Sequence, residues 1–238
     1  MSLAVRRRPS PNHDGRGGRP VRQLILHYTG MKSGAEAEAR LVDPEARVSA
    51  HYLLHEDGEI VLLVAEERRA WHAGVSRWRG VDDLNSTSIG IELVNPGHQW
   101  GYRPFPEAQM RQLLRLAAAI SRRHGIDRAD VIGHSDVAPA RKTDPGELFD
   151  WGLLARHDLA LARPARLLAD PLWPDSAFAL ALERFGYDVG DLKAATAAFQ
   201  RRFRQRDVAG VIDGETRAIL FTLQVHEEAR LQGAGETT

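Results

Sequence analysis

Two histidines stand where apolar strands end. His27 closes the run Leu24-Ile25-Leu26-His27, and His134 closes Val131-Ile132-Gly133-His134. Neighbouring strand ends of a sheet open on one rim, where side chains from distant parts of a chain can converge on a ligand. Two such imidazoles are either partners around an ion or unrelated buried histidines, each bonded to backbone. On the pair alone the two readings are even. Asp144 shifts the balance, because it lies ten positions past His134 in a loop stiffened by Pro139, Pro145 and Gly146. Such a loop can fold back over the strand end. Two histidines and a carboxylate, with water in a fourth position, make an open tetrahedral zinc site. No HExxH occurs, so the donors do not ride on one helix.

Glu92 is the one charged residue in Ile89-Gly90-Ile91-Glu92-Leu93-Val94. A carboxylate among apolar neighbours costs free energy unless it is paired or useful. Alternation lets Ile91 and Leu93 face inward and Glu92 outward, and the spacing favours that solvent-facing reading over a general base. Trp71-His72-Ala73-Gly74 sets an indole beside an imidazole and small residues. The pair can line a sugar or peptide groove; one buried Trp with one exposed His gives the same pattern. His13, His98, His157 and His226 sit in polar or terminal stretches and read as surface side chains. His55, before a turn, and His124, at a helix end, need only a local structural role.

Strands and helices must position these groups. Val21–Tyr28 reads as a buried strand, and Ala35–Val42 as a short helix stopped by Asp43-Pro44. Ala50–His55 and Glu59–Val64 flank Glu56-Asp57-Gly58, a hairpin signal. Ser88–Val94 is a further strand. The clearest helix starts at Pro106-Glu107, carries Met110, Leu113, Leu114, Ala117 and Ile120 on one stripe, and ends at Gly125. A hairpin among interleaved strands and helices predicts an α/β domain with a mixed central sheet.

Beyond Pro164 the pattern turns all-helical. Phe178, Leu182 and Phe185 form one stripe; Leu192, Ala195, Phe199 and Phe203 a second; Asp213-Gly214 opens a third with Ile219, Leu223 and Val225. The chain therefore divides into an N-terminal extension (1–20), an α/β domain (21–163) and a small three-helix domain (174–232). The Arg6–Arg8 run reads as a solvated tail, and removal of residues 1–8 is expected to leave stability unchanged.

Composition excludes several functions. Lys plus Arg and Asp plus Glu are equal at 32, so no overall field draws nucleic acid or anionic lipid. The absence of cysteine removes disulfides, thiolate catalysis and Cys-ligated zinc. No apolar run approaches the roughly 20 residues of a membrane span. The N-terminus has no apolar stretch after its arginines, so it does not read as an intact leader; a removed one stays open, and with it the choice between cytoplasm and periplasm.

Four ordered motifs carry a resemblance: His27-Tyr28-Thr29; Ala70-Trp71-His72-Ala73-Gly74; Ser88-Ile89-Gly90-Ile91-Glu92; and Gly133-His134-Ser135-Asp136 followed by Lys142-Thr143-Asp144-Pro145-Gly146. Over about residues 10–160 the chain resembles the N-acetylmuramoyl-L-alanine amidases of the AmpD/AmiD type, which share a fold with T7-type lysozyme and peptidoglycan recognition proteins. The stretches 182–187, 198–203 and 210–216 resemble the three-helix peptidoglycan-binding domain, an AmiD-like arrangement. The resemblance implies a bacterial enzyme with one zinc per chain on His27, His134 and Asp144. It implies a catalytic Glu92, a lysine beside the metal at Lys142, and groove positions at Trp71, His72, Asn85 and Arg141. The expected reaction is hydrolysis of the amide between N-acetylmuramic acid and L-alanine, with peptidoglycan or muropeptides as ligand. The competing readings are a non-catalytic peptidoglycan recognition protein and a zinc hydrolase of some other amide. The helical domain is expected to add affinity for polymer, so that a chain ending near Arg163 still cleaves soluble fragments.

Overall fold

The computed structural model describes residues 3–235. Its strands are β1 (Arg6–Arg7), β2 (His13–Gly15), β3 (Gln23–Tyr28), β4 (Tyr52–Leu54), β5 (Ile60–Leu62), β6 (Arg68–Ala70), β7 (Arg77–Trp78), β8 (Val81–Asp82), β9 (Ser88–Leu93) and β10 (Val131–Gly133). The helices are α1 (Gly34–Val42), α2 (Gly97–Trp100), α3 (Glu107–His124), α4 (His134–Val137), α5 (Trp151–Arg156), α6 (Asp175–Phe185), α7 (Leu192–Phe203) and α8 (Gly214–Gly235).

Six strands form one mixed sheet in the order β1-β5-β4-β9-β3-β10. The expected hairpin is the antiparallel β4–β5 pair, while β9, β3 and β10 run parallel. Parallel pairing decides where the strand ends fall. Glu92 lies opposite His27, and Gly133 lies opposite Leu26, so His134 emerges from β10 beside His27.

Alternation assigns the two faces of this sheet. Leu24, Leu26, Ile89 and Ile91 pack in one cluster with Met110, Leu113, Leu116 and Ile120 of α3. Leu116 takes the place expected of Leu114, which is only partly buried. The opposite face carries Ile25, His27, Gly90 and Glu92. It is covered too: Ile25 belongs to a second cluster with Trp78, Ile132 and Val137, and with Phe178, Leu182, Phe199 and Phe203 of the C-terminal helices.

Two expectations change. The Arg6–Arg8 run is exposed, as expected, but it is not a free tail. β1 pairs parallel with β5, Arg8 N–H donates to the Leu62 carbonyl at 3.0 Å, and Arg6 grips Glu38 at 2.7 Å and Glu59 at 2.8 Å. The physical reason is an open sheet edge beside two carboxylates. Secondly, the C-terminal helices share a core with the α/β part, so removing them would expose Ile25, Ile132 and Val137. Val225, placed on the third stripe, is 36% exposed.

Candidate active site and metal centre

His27, His134 and Asp144 meet at the C-terminal rim of β3 and β10. Their donor atoms form a near-equilateral triangle: His27 Nδ1 to His134 Nδ1 is 2.9 Å, and each Nδ1 is 3.0 Å from Asp144 Oδ2. All three residues are buried. The loop after α4 does fold back as its prolines and glycine predict, because Ser135 N–H donates to the Asp144 carbonyl at 2.8 Å.

The far side of each imidazole fixes its tautomer. His134 Nε2 is 3.0 Å from the Ala73 carbonyl, which can only accept, so the proton sits on Nε2 and Nδ1 keeps its lone pair. A longer chain does the same for His27. Ser88 Oγ–H donates to the Leu84 carbonyl at 2.6 Å, so Oγ accepts from His72 Nε2–H at 3.2 Å. His72 Nδ1 is then free to accept from His27 Nε2–H at 3.0 Å. Three lone pairs therefore converge, and at this spacing they repel one another unless a cation stands between them. A tetrahedral ion with bonds of about 2.0–2.1 Å holds its donors about 3.3 Å apart, a small outward adjustment from the observed triangle. The donor set fits a metal ion, and carboxylate and carbonyl partners behind ligating imidazoles are what such sites use.

Electrostatics agree. Burial, with His134 beside it, pushes His27 down to about 4, so the ring is neutral at physiological pH as ligation requires. Burial also pushes His72 well below the ordinary histidine range, reinforced by His27 and His51.

The triangle opens on a cavity of about 340 Å³ whose walls include Trp71, Glu92, Arg141, Lys142 and Thr143. Glu92 does point away from Ile91 and Leu93, as alternation predicts, yet the face it joins is the site and not open solvent. Burial, with Asp144 nearby, pushes its carboxyl well above the ordinary range, and Lys142 opposes that. Its Oε2 is buried with no hydrogen-bond partner among the described residues, and so is Trp71 Nε1.

The remaining candidates divide. Arg141 lines the cavity while its Nη2 donates to the Ala73 carbonyl at 2.9 Å, pinning the backbone that receives His134. His72 borders the cavity, but both its nitrogens are engaged behind His27. Asn85 is buried below the groove, and its Oδ1 accepts from the N–H groups of His72 at 3.0 Å and Ala73 at 2.7 Å. It orders the groove wall from beneath. Sequence reasoning missed Ser88, which ends the histidine relay, and Gly90. A Cβ on Gly90 would stand 2.5 Å from the His72 ring, so the glycine is what lets that ring lie across β9.

A mixed sheet whose rim gathers two histidines, an aspartate and an unpartnered glutamate defines a hydrolase with a three-donor group able to take a metal ion. The chain matches the N-acetylmuramoyl-L-alanine amidase family over residues 17–147. It belongs to that family and is an amidase. The N-acetylmuramoyl-L-alanine amidase AmiD of Escherichia coli K12 is 38% identical over 229 residues, covering 85% of this chain and 82% of the relative. The 1,6-anhydro-N-acetylmuramyl-L-alanine amidase AmpD of the same strain is 36% identical, covering 63% of this chain and 89% of the relative. Among solved structures, E. coli AmiD in complex with anhydro-N-acetylmuramic acid-L-Ala-D-gamma-Glu-L-Lys superposes with a TM-score of 0.77 at 34% identity, over 88% of this chain and 91% of that one. AmpDh3 from Pseudomonas aeruginosa gives 0.78 at 32% identity, over 92% and 95%. No helix among the described residues is long and apolar enough to cross a membrane.

Proposed function

We propose that this amidase is zinc-dependent, with the ion held by His27 Nδ1, His134 Nδ1 and Asp144 Oδ2, and that it removes the peptide from N-acetylmuramic acid in muropeptides. The converging triangle of lone pairs carries this reading. Bound zinc supplies a Lewis acid for the amide carbonyl and an acidified water.

The chain's own groups do the rest. Glu92 Oε2, unpartnered on the cavity wall, takes a proton from the attacking water and delivers one to the departing L-alanine amine. An amide nitrogen leaves poorly as an anion, so this delivery matters as much as the first transfer. The raised carboxyl suits both halves of that exchange, since a stronger acid would not hold the proton between them. Lys142 stands on the same wall and offsets the charge that develops on the carbonyl oxygen. Trp71, with a free indole N–H, and Arg141 border the groove in which sugar and peptide lie. The helices α6–α8 supply affinity for polymeric peptidoglycan, on the strength of the motifs at 182–187, 198–203 and 210–216.

The test is metal content by mass spectrometry beside release of L-Ala-headed peptide from soluble anhydro-muropeptides and from sacculi. One zinc per chain and chelator-sensitive release are expected. Full turnover in metal-free protein would overturn the zinc assignment, and turnover confined to peptides lacking muramic acid would overturn the substrate.

A further inference from the structure

Asp136 lies two residues past His134 and is fully buried. Its carboxylate accepts three hydrogen bonds: from Gly133 N–H at 2.8 Å, from Tyr187 O–H at 2.6 Å and from Arg202 Nη1 at 3.1 Å. Gly133 is the last residue of β10, and Asp136 belongs to the one-turn helix α4 that begins with His134. Asp136 therefore clamps the backbone on either side of the His134 side chain. Two of its three donors come from the C-terminal helical part.

Arg202, on α7, reaches further. It is 4% exposed, its Nη2 donates to the Val131 carbonyl at 3.0 Å and the Leu161 carbonyl at 3.1 Å, and its guanidinium lies 4.3 Å from the Trp151 ring. Val131 opens β10, which is the edge of the sheet on that side. Arg202 therefore binds a backbone carbonyl of the edge strand itself. One side chain thus holds both the first residue of β10 and the carboxylate of α4, with His134 between them. Tyr187 is packed edge-on against Trp78 at 5.2 Å, which fixes the direction of its hydroxyl.

We propose that the helical part completes the metal site: Arg202 and Tyr187 are positioning residues that act through Asp136 to set His134. The proposal rests on the assignment of His134 as a zinc ligand. The family match ends at residue 147, so both residues lie outside the segment that defines the amidase family. An AmpD crystal structure covers 68% of this chain and 97% of itself, so the α/β fold exists without such helices.

The experiment uses the full chain and three readouts: zinc Kd by competition with a chelator, kcat and KM on a soluble anhydro-muropeptide, and Tm. Tyr187→Phe keeps the ring and removes one O–H. Arg202→Met strands a buried carboxylate, so it is paired with Asp136→Asn to keep the protein folded. Both variants are expected to bind zinc about tenfold more weakly, with kcat reduced and KM little changed, as for other groups behind a ligating histidine. Wild-type zinc affinity and kcat in either Tyr187→Phe or the folded double variant overturn the proposal. His134→Ala is the control that separates the two readings. If it binds zinc as tightly as the wild type, the ligand assignment falls and this proposal with it; if it loses zinc while Tyr187→Phe does not, this proposal alone falls.

Discussion

Glu92 lies directly across the β3–β9 ladder from His27, and the two side chains have opposite surroundings. Both ring nitrogens of His27 are engaged, one toward the triangle and one on His72, whereas Glu92 Oε2 has no partner among the described residues. Equivalent positions on neighbouring strands thus present one group locked in place and one left available.

That contrast separates two carboxylates by experiment. Asp144→Ala removes a donor from the triangle and is expected to lose zinc and turnover together. Glu92→Gln is expected to keep zinc while kcat falls by about 10²–10⁴, because an amide holds a hydrogen bond but carries no proton. Metal content beside turnover decides it; loss of zinc in Glu92→Gln, or retention in Asp144→Ala, would reverse the assignments.

The histidine relay makes a second prediction. His72→Phe keeps a ring in place but leaves His27 Nε2–H without an acceptor, and zinc affinity should fall about 10–100-fold. Gly90→Ala forces the same ring aside and should weaken zinc binding as well, with a stability cost of about 1–3 kcal/mol. Chelator competition and urea unfolding measure the two effects; unchanged zinc affinity in His72→Phe would remove the relay from the mechanism.

Removing metal should itself destabilise the fold at this rim. At a zinc concentration one hundredfold above Kd, binding adds about 2.7 kcal/mol. Calorimetry with and without chelator should show a lower Tm in the stripped protein, and a Tm indifferent to chelator would contradict a site built into the native state.

Stability at low pH tests the N-terminal strand. The Arg6 guanidinium, against some burial, holds Glu38 down to about 2 from an ordinary 4.5. A depressed carboxylate contributes stability above its ordinary range and loses it as pH falls through the folded value. Arg8 and His55 still hold Glu38 in Arg6→Ala, so the cost at neutral pH should be about 0.2–1 kcal/mol, that of a half-exposed ion pair. The deficit should shrink as pH falls from about 4.5 to about 2. Urea unfolding across that range checks it. A deficit constant with pH would assign the loss to strand pairing alone.

His27, His134 and Asp144 were legible in the linear chain because each signal is local: a polar residue ending an apolar strand, and a loop with two prolines and a glycine. The Asp-Gly hairpin likewise announced a mixed sheet. Spacing alone favoured a solvent-facing Glu92, because alternation tells which face a side chain joins and says nothing of what covers that face. The arginines at the N-terminus looked solvated because their partners, Glu38, Glu59 and β5, lie more than thirty residues away. Arg202 and Asp136 are 66 residues apart, and nothing local links a helix arginine to an aspartate beside a strand end. Local propensity and spacing determined the main strands and helices and pointed to the three converging donors. Only long-range packing decided what stands behind each donor, because hydrogen bonds to buried charge are settled by whichever distant group the folded chain brings into reach.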